Sequence, residues 1–322
     1  MFRKIVIKFC LLLLGPSILA LWISACWQDD ALLFHAGVGQ RSSLLDIEEV
    51  FAKRNPELRV NYCFKGSGYF IADIERSHKG DLYLPGEEFY MLQALERGHI
   101  LDYDPKNDIA AHFMVVIATP RGNPKKIKSL KDFAREDVKI GLGNPKACAI
   151  GIWDQKTFER AGIWKEVQRN SIQSAKCIAE KLTAVQNKVV DATLIWSSTA
   201  VLALRDIEII PIEPRCRGFV RLPVAVVKYS KRVELAKKLK DFILSKEGAE
   251  IFESHAYVCN PGPLDERGFC LDGGEASDDD CRYLVNAAKA VKDSSLPLTK
   301  EFLGPLIGEV QRQRKTLHAG DL

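Results

Sequence analysis

Three short stretches of this 322-residue chain each combine small residues with a place between an apolar run and a helical pattern. They are Gly37-Val38-Gly39-Gln40-Arg41-Ser42, Gly66-Ser67-Gly68, and Gly143-Asn144-Pro145-Lys146-Ala147-Cys148-Ala149-Ile150-Gly151. Each reads as a turn that leaves a strand and feeds a helix. The first turn of a helix has N–H groups without intrahelical partners and a partial positive charge of about half a unit, so an anion is stabilised there without lysine or arginine. Glycine lets the backbone approach a ligand closely, and the Ser67 hydroxyl adds a donor. Any one such turn has a purely geometric use in most α/β proteins. Only the three together suggest a site.

Residues suited to catalysis are not arranged for it. His35, His78, His99, His112, His255 and His318 are scattered, and no HExxH, nucleophile elbow or phosphate-binding loop pattern occurs. Cys148 with His35 or His112 could imitate a thiol nucleophile and its base across a cleft. A cysteine packed as a small apolar group is the commoner use, so no enzyme activity and no cofactor are expected. The cysteines include no CxxC pair and no zinc-type spacing, which leaves thiolate metal binding without support.

Strand and helix patterns alternate from about Ala31 onward, the mark of an α/β layer structure. Leu32 to Phe34 reads as a strand, and Leu44, Ile47 and Phe51 recur at helical spacing until Asn55-Pro56. Leu58 to Phe64 is a second strand, Tyr69 to Ser77 a helix, Asp81 to Leu84 a short strand, and Glu87 to Arg97 a helix closed by Gly98. The run Phe113 to Ala118 is apolar throughout, as in a strand buried on both faces. A second set follows: strand Val138 to Leu142, helix Gly151 to Ala161, helix Ser174 to Gln186, strand Ala192 to Trp196, helix Ser198 to Leu204 and strand Ile207 to Ile212. Leu222 to Val227 is one more apolar strand, and Lys231 to Ser245 an amphipathic helix. This order predicts one lobe inserted into another, with two strands, near Phe113 and Val224, crossing between them. A cleft between such lobes is a usual ligand site.

Several of these segments resemble the molybdate- and tungstate-binding proteins of ABC importers, which have the two-lobed type II periplasmic-binding fold. The resemblance runs from about Leu32 to about Val258. It is carried by Phe34-His35-Ala36-Gly37, Gly66-Ser67-Gly68, Gly80-Asp81-Leu82-Tyr83, the Gly143 to Gly151 loop, Asp191 to Trp196, Leu222 to Val227, and Glu247 to Phe252 with Tyr257. In that family two loop serines, backbone N–H groups of the third loop and of a following helix start, and a tyrosine hydroxyl hold the oxyanion. The resemblance implies Ser67, with its neighbour Gly68, for the second loop and Ala149 or Ile150 for the third. It departs at two places. The first-loop serine falls on Val38 or Gly39, beside Gly37, leaving backbone donors, and the tyrosine falls on Trp196, whose indole N–H can donate but not accept. Arg41 could supply a compensating charged donor, although outward-facing arginines are commoner on a first helical turn.

Charge sign does not separate molybdate, tungstate and sulfate. Phosphate keeps a proton at neutral pH and favours a site with an acceptor, whereas these loops offer donors and no carboxylate, so a fully deprotonated oxyanion is expected. The other readings are the same fold holding sulfate, a small organic anion or ferric iron, and a sensor or interaction module without transport. No Tyr-Tyr pair is present, which counts against iron. Asp81 and Asp191 read as structural residues that close turns.

Composition sets the wider frame. With 46 basic and 42 acidic residues mixed along the chain, there is no basic stripe to follow a nucleic-acid backbone. The 47% of apolar residues can fill two cores. Met1 to Ala25 has a charged start at Arg3-Lys4, a short apolar middle and a small-residue end, as a secretory signal does. Ile23-Ser24-Ala25-Cys26 resembles a lipoprotein box, which implies lipidation at Cys26 and a stable membrane anchor. The chain thus divides into residues 1–25 as lipoprotein signal, 26–112 with 213–259 as the first lobe, 113–212 as the second, and 260–322 as a C-terminal extension expected to pack on the first lobe. Disulfides form outside the inner membrane, and Cys259, Cys270 and Cys281 are the expected source of a pair. The protein is read as an extracytoplasmic monomer that hands a small oxyanion to an ABC permease.

Overall fold

The computed structural model describes residues 31–271, apart from residue 57. The expected signal segment, Cys26, Cys281 and most of the C-terminal extension lie outside the described residues. None of the described helices is long and apolar enough to cross a membrane.

The first lobe opens with β1 (Ala31–Gly37), α1 (Arg41–Arg54), β2 (Arg59–Lys65), α2 (Ser67–Ser77), β3 (Leu82–Leu84), α3 (Glu88–Glu96) and β4 (Ile100–Asp102). The chain then enters the second lobe through the long β5 (Ile109–Pro120), followed by β6 (Ile140–Gly143), α4 (Ala149–Arg160), α5 (Trp164–Asn170) and β7 (Ser171–Ala175). After these come α6 (Ile178–Gln186), β8 (Ala192–Trp196), the short α7 (Ser197–Ala200), β9 (Ile207–Ile210) and β10 (Phe219–Pro223). It returns with β11 (Ala225–Val227), α8 (Val233–Leu244) and α9 (Lys246–Ser254).

Two sheets result. One has the order β2-β1-β3-β11-β4, the other β10-β5-β8-β6-β7 with β9 also on β5. The apolar spacing explains the layers: Leu44, Ile47 and Phe51 are the buried stripe of α1, and β5 is buried along nearly its whole length, as a strand covered on both faces must be. Asn55 ends α1, its side chain donating to the Phe51 carbonyl at 3.0 Å. Gly98, at φ 73°, ends α3 in the left-handed conformation that glycine adopts freely.

The expected two-lobed architecture with two crossovers is present: β4 leads into β5, and β10 leads into β11 through Val224. The strand expected over Leu222 to Val227 is in fact two strands in different sheets. Pro223 has no N–H for a ladder and the register shifts at Leu222/Pro223, so pairing with β5 stops there. Val224 donates instead to the Asp108 carbonyl at 2.9 Å, on the other crossover. The sheet change therefore lies nearer 103–108 and Val224 than the expected lobe boundaries at 113 and 213. The expected helix from Ser174 is also shorter. Residues Ser171–Ala175 pair in parallel with β6, and the helix begins only after Cys177.

The described part of the C-terminal extension packs on the second lobe, not the first. Phe269 lies against Trp153 with ring centroids 5.4 Å apart, and Asp265 pairs with Arg160 at 2.7 Å, both partners being on α4. Gly218 makes room, because a Cβ there would strike the Trp153 ring. Upstream, Val258 exchanges both backbone hydrogen bonds with His112 on β5, so the segment from Val258 to Phe269 is a third strap beside the two crossovers.

Candidate functional site

Four strand ends of the two lobes deliver helix starts to one place. β1 ends at Gly37 and turns through a single 3-10 turn, Val38–Gln40, into α1. β2 leads through Gly66 into α2, the loop after β6 leads through Cys148 into α4, and β7 leads through Lys176 and Cys177 into α6. Gly66, Cys148 and Cys177 hold extended backbone and give no side-chain cap to the helix that follows, and neither does Gly37 or Gln40. By contrast, the Glu87 carboxylate caps α3 and Ser245 caps α9. The uncapped starts leave their first N–H groups for something else.

Those starts line a single small cavity between the lobes. Its walls are Gly37, Val38, Gly39, Gln40, Lys65, Gly66, Ser67, Gly86, Phe113, Cys148, Ala149, Cys177, Ile178 and Trp196. No carboxylate is among them. Lys65 is the one charged residue, and its ammonium is held by Asp73 at 2.5 Å. The partial charges of helix starts therefore dominate the local field.

The residues read from the sequence separate into two groups. Gly37, Val38, Gly39, Ser67, Ala149 and Trp196 come together around the cavity. Arg41, Gly68 and Ile150 do not line it. Arg41 is exposed, with its guanidinium 5.2 Å from the Phe64 ring centroid, and Ile150 is buried in the core. Gly68 sits where the lobes touch: a Cβ there would run into the Lys146 carbonyl oxygen, and one at Gly66 into the Ala147 carbonyl. Across the same seam the Tyr90 hydroxyl donates to the Pro145 carbonyl at 2.8 Å.

Ser67 is set up as a donor. Its Oγ accepts the Gly86 N–H at 2.9 Å, which leaves its own proton to give. The first loop is fixed from behind by Tyr257, whose hydroxyl donates to the Gly39 carbonyl at 2.7 Å while Ser43 donates to the phenol oxygen at 3.3 Å. Trp196 lies flat on Phe113, with centroids 4.7 Å apart and planes 2° from parallel, and Phe113 stacks in turn on Tyr257 at 5.1 Å. A Cβ on Gly39 would come within 3.3 Å of the Trp196 Cδ1 atom, so the indole edge next to Nε1 faces the first loop.

Sequence reasoning missed Gln40, Gly86 and the Cys177–Ile178 start. Reading one helix from Ser174 hid the β7–α6 turn. Gln40 is wholly buried; its amide N–H donates to the Pro85 carbonyl at 3.2 Å while its Oε1 has no partner. The pairing of Cys148 with His35 or His112 is not assembled at the cavity. Burial pushes the Cys148 thiol up to about 12, so it carries its proton at neutral pH. His35 lies over Phe70 and near the Lys79 carbonyl, and His112 contacts the Val258 carbonyl; neither lines the cavity. Asp81 and Asp191 are structural, accepting the Leu33 and Lys139 N–H groups at 2.7 and 2.9 Å. Cys259 is a free thiol near the Ala249 carbonyl, so it takes no part in the disulfide expected among Cys259, Cys270 and Cys281.

Comparison with known proteins agrees with this architecture. The chain is 23% identical over 229 residues to the molybdate-binding protein ModA of Mycobacterium tuberculosis, covering 71% of this chain and 84% of that one. It superposes on the periplasmic molybdate-binding protein of Azotobacter vinelandii with a TM-score of 0.62 at 14% identity, covering 71% of this chain and all of that one. On the sulfate-binding protein SubI of Mycobacterium tuberculosis the TM-score is 0.63, again at 14% identity, covering 81% and 90%. These structures share the type II periplasmic-binding fold expected from the sequence. The model of the bacterial extracellular solute-binding proteins matches residues 32–258, most of the chain, and the protein belongs to that family.

Proposed function

We propose that this protein is the extracytoplasmic binding component of an ABC importer, that it holds a tetrahedral oxyanion, molybdate or tungstate first, and that it passes the ion to a membrane permease. One observation carries the reading: helix starts without side-chain caps from both lobes line a cavity that has no carboxylate. Such a cavity favours a ligand that only accepts hydrogen bonds and carries its charge on several oxygens. Each hydrogen bond to a charged group contributes about 1.5–3 kcal/mol net, so a handful supports micromolar or tighter binding after association costs. The molybdate binders among the relatives fit this class of ligand. The Ile23-Ser24-Ala25-Cys26 box supports a lipid on Cys26 and attachment of a monomer to the membrane. The roles are those of binding, not of catalysis.

A second reading has one specific observation behind it. The unpartnered Gln40 Oε1 is an acceptor in a cavity of donors, and a protonated oxyanion such as hydrogen phosphate would satisfy it. Calorimetric titration of the mature protein with molybdate, tungstate, sulfate and phosphate separates the two. The expected order places molybdate and tungstate ahead of sulfate and phosphate. Phosphate binding tightest would establish the second reading, and no uptake of any of the four would remove both.

A further inference from the structure

Asp154 on α4 and Lys181 on α6 are both 0% exposed, and the Lys181 ammonium lies 2.7 Å from each carboxylate oxygen. Asp154 Oδ2 also accepts the Gly143 N–H at 2.6 Å. A single carboxylate therefore ties together the end of β6, the body of α4 and the first turn of α6. These are the pieces that bring the second lobe to the cavity, through Cys148 and Ala149 at one helix start and Cys177 and Ile178 at the other. Neither Asp154 nor Lys181 lines the cavity itself.

Stability is a poor reason for such a pair. Removing both charges from water is costly, and burial pushes the Asp154 carboxyl up and the Lys181 amine down. Apolar side chains of similar volume in the place of a buried ion pair are frequently neutral or stabilising. What an apolar pair cannot do is hold a fixed distance and direction between two helices and a loop amide.

We propose that the Asp154–Lys181 bridge is a positioning device for the oxyanion site. It sets the starts of α4 and α6 against the Gly143 loop so that their free N–H groups converge on one ligand. This rests on the oxyanion reading above, and the residues act through the backbone, without touching the ion.

The test is the double substitution D154L/K181M in the mature protein, with D154N/K181M as a milder version that keeps an acceptor for the Gly143 N–H. Three quantities are read: thermal unfolding, calorimetric affinity for molybdate and for sulfate, and amide exchange at Gly143 and in the first turn of α6 without ligand. The expected result is a folded D154L/K181M protein in which the relief of charge burial is offset by the orphaned Gly143 N–H, and which binds oxyanion about tenfold or more weakly, with faster exchange at those amides. D154N/K181M should fall between. Unchanged affinity in folded D154L/K181M overturns the proposal whatever the exchange at Gly143 shows, since that amide loses its acceptor in any case; if that protein does not fold, the same comparison on D154N/K181M decides. Should the parent itself take up no oxyanion, the functional reading fails and the positioning role falls with it, an outcome distinct from a variant that binds as tightly as a binding-competent parent.

Discussion

At the scale of single residues, the site is a set of donors whose own acceptor needs are met elsewhere. Ser67 shows the logic, since its oxygen is occupied by the Gly86 N–H and its proton is left over. Ser67→Ala should weaken oxyanion binding by about 1–3 kcal/mol, and calorimetry of parent and variant reads the difference directly; equal affinity would place Ser67 outside the ligand's reach. Ser67 was legible in the sequence because a serine between two glycines after a strand pattern has few other uses. Gln40 was not. A glutamine in the turn before a helix carries no signal of burial, and its orphaned oxygen depends on how Pro85 folds over it. Arg41 was legible as a positive charge but not in direction, because one helical step turns its side chain out toward Phe64.

At the scale of elements, the strand-to-helix turns were readable, and the seam between lobes was not. Gly66 and Gly68 advertise a turn in any α/β protein, yet their closest neighbours are carbonyls of a loop about 80 positions later in the chain. A Cβ on Gly68 would collide with the Lys146 carbonyl, while alanine inside α2 is intrinsically more helical than glycine by about 1 kcal/mol. The two effects have opposite signs. Because the collision is with backbone, the lobes must part at this seam in Gly68→Ala, and oxyanion affinity should fall tenfold or more, that is by about 1.4 kcal/mol or more. Small-angle scattering should show the variant failing to compact when oxyanion is added. Compaction equal to the parent's would mean the seam yields. The turn at Cys177 was hidden for a different reason: β7 is a sheet edge with alternating exposure, and its Ser-Ile-Gln-Ser sequence has too little apolar character to stand out from a helix start.

At the scale of the whole molecule, the alternation of strands and helices gave the two lobes, and the apolar run at Phe113 gave the main crossover. The exact point of sheet change and the strap to Phe269 follow from contacts distant in sequence, which periodicity does not record. The hinge region also carries a pH response. His112, bonded to Val258 between the crossover and the strap, is held neutral by burial, its pKa lowered to about 4 from the ordinary 6.5. Between those values the unfolded chain binds a proton that the folded chain refuses, so stability is intact above pH 6.5 and falls as the pH drops toward 4. The full loss is about 3 kcal/mol. His112→Gln, which can still donate to Val258, should flatten the decline of melting temperature over that interval; an unaltered slope would move the effect to other groups, His35 among them. The stacked Trp196, Phe113 and Tyr257 rings come from the second lobe, the crossover strand and the end of the first lobe. A twist of the crossover strand at Phe113 changes how these rings overlap, so the ultraviolet emission of Trp196, read with the chain's other tryptophans replaced by phenylalanine, becomes an internal gauge of lobe movement with no dye attached.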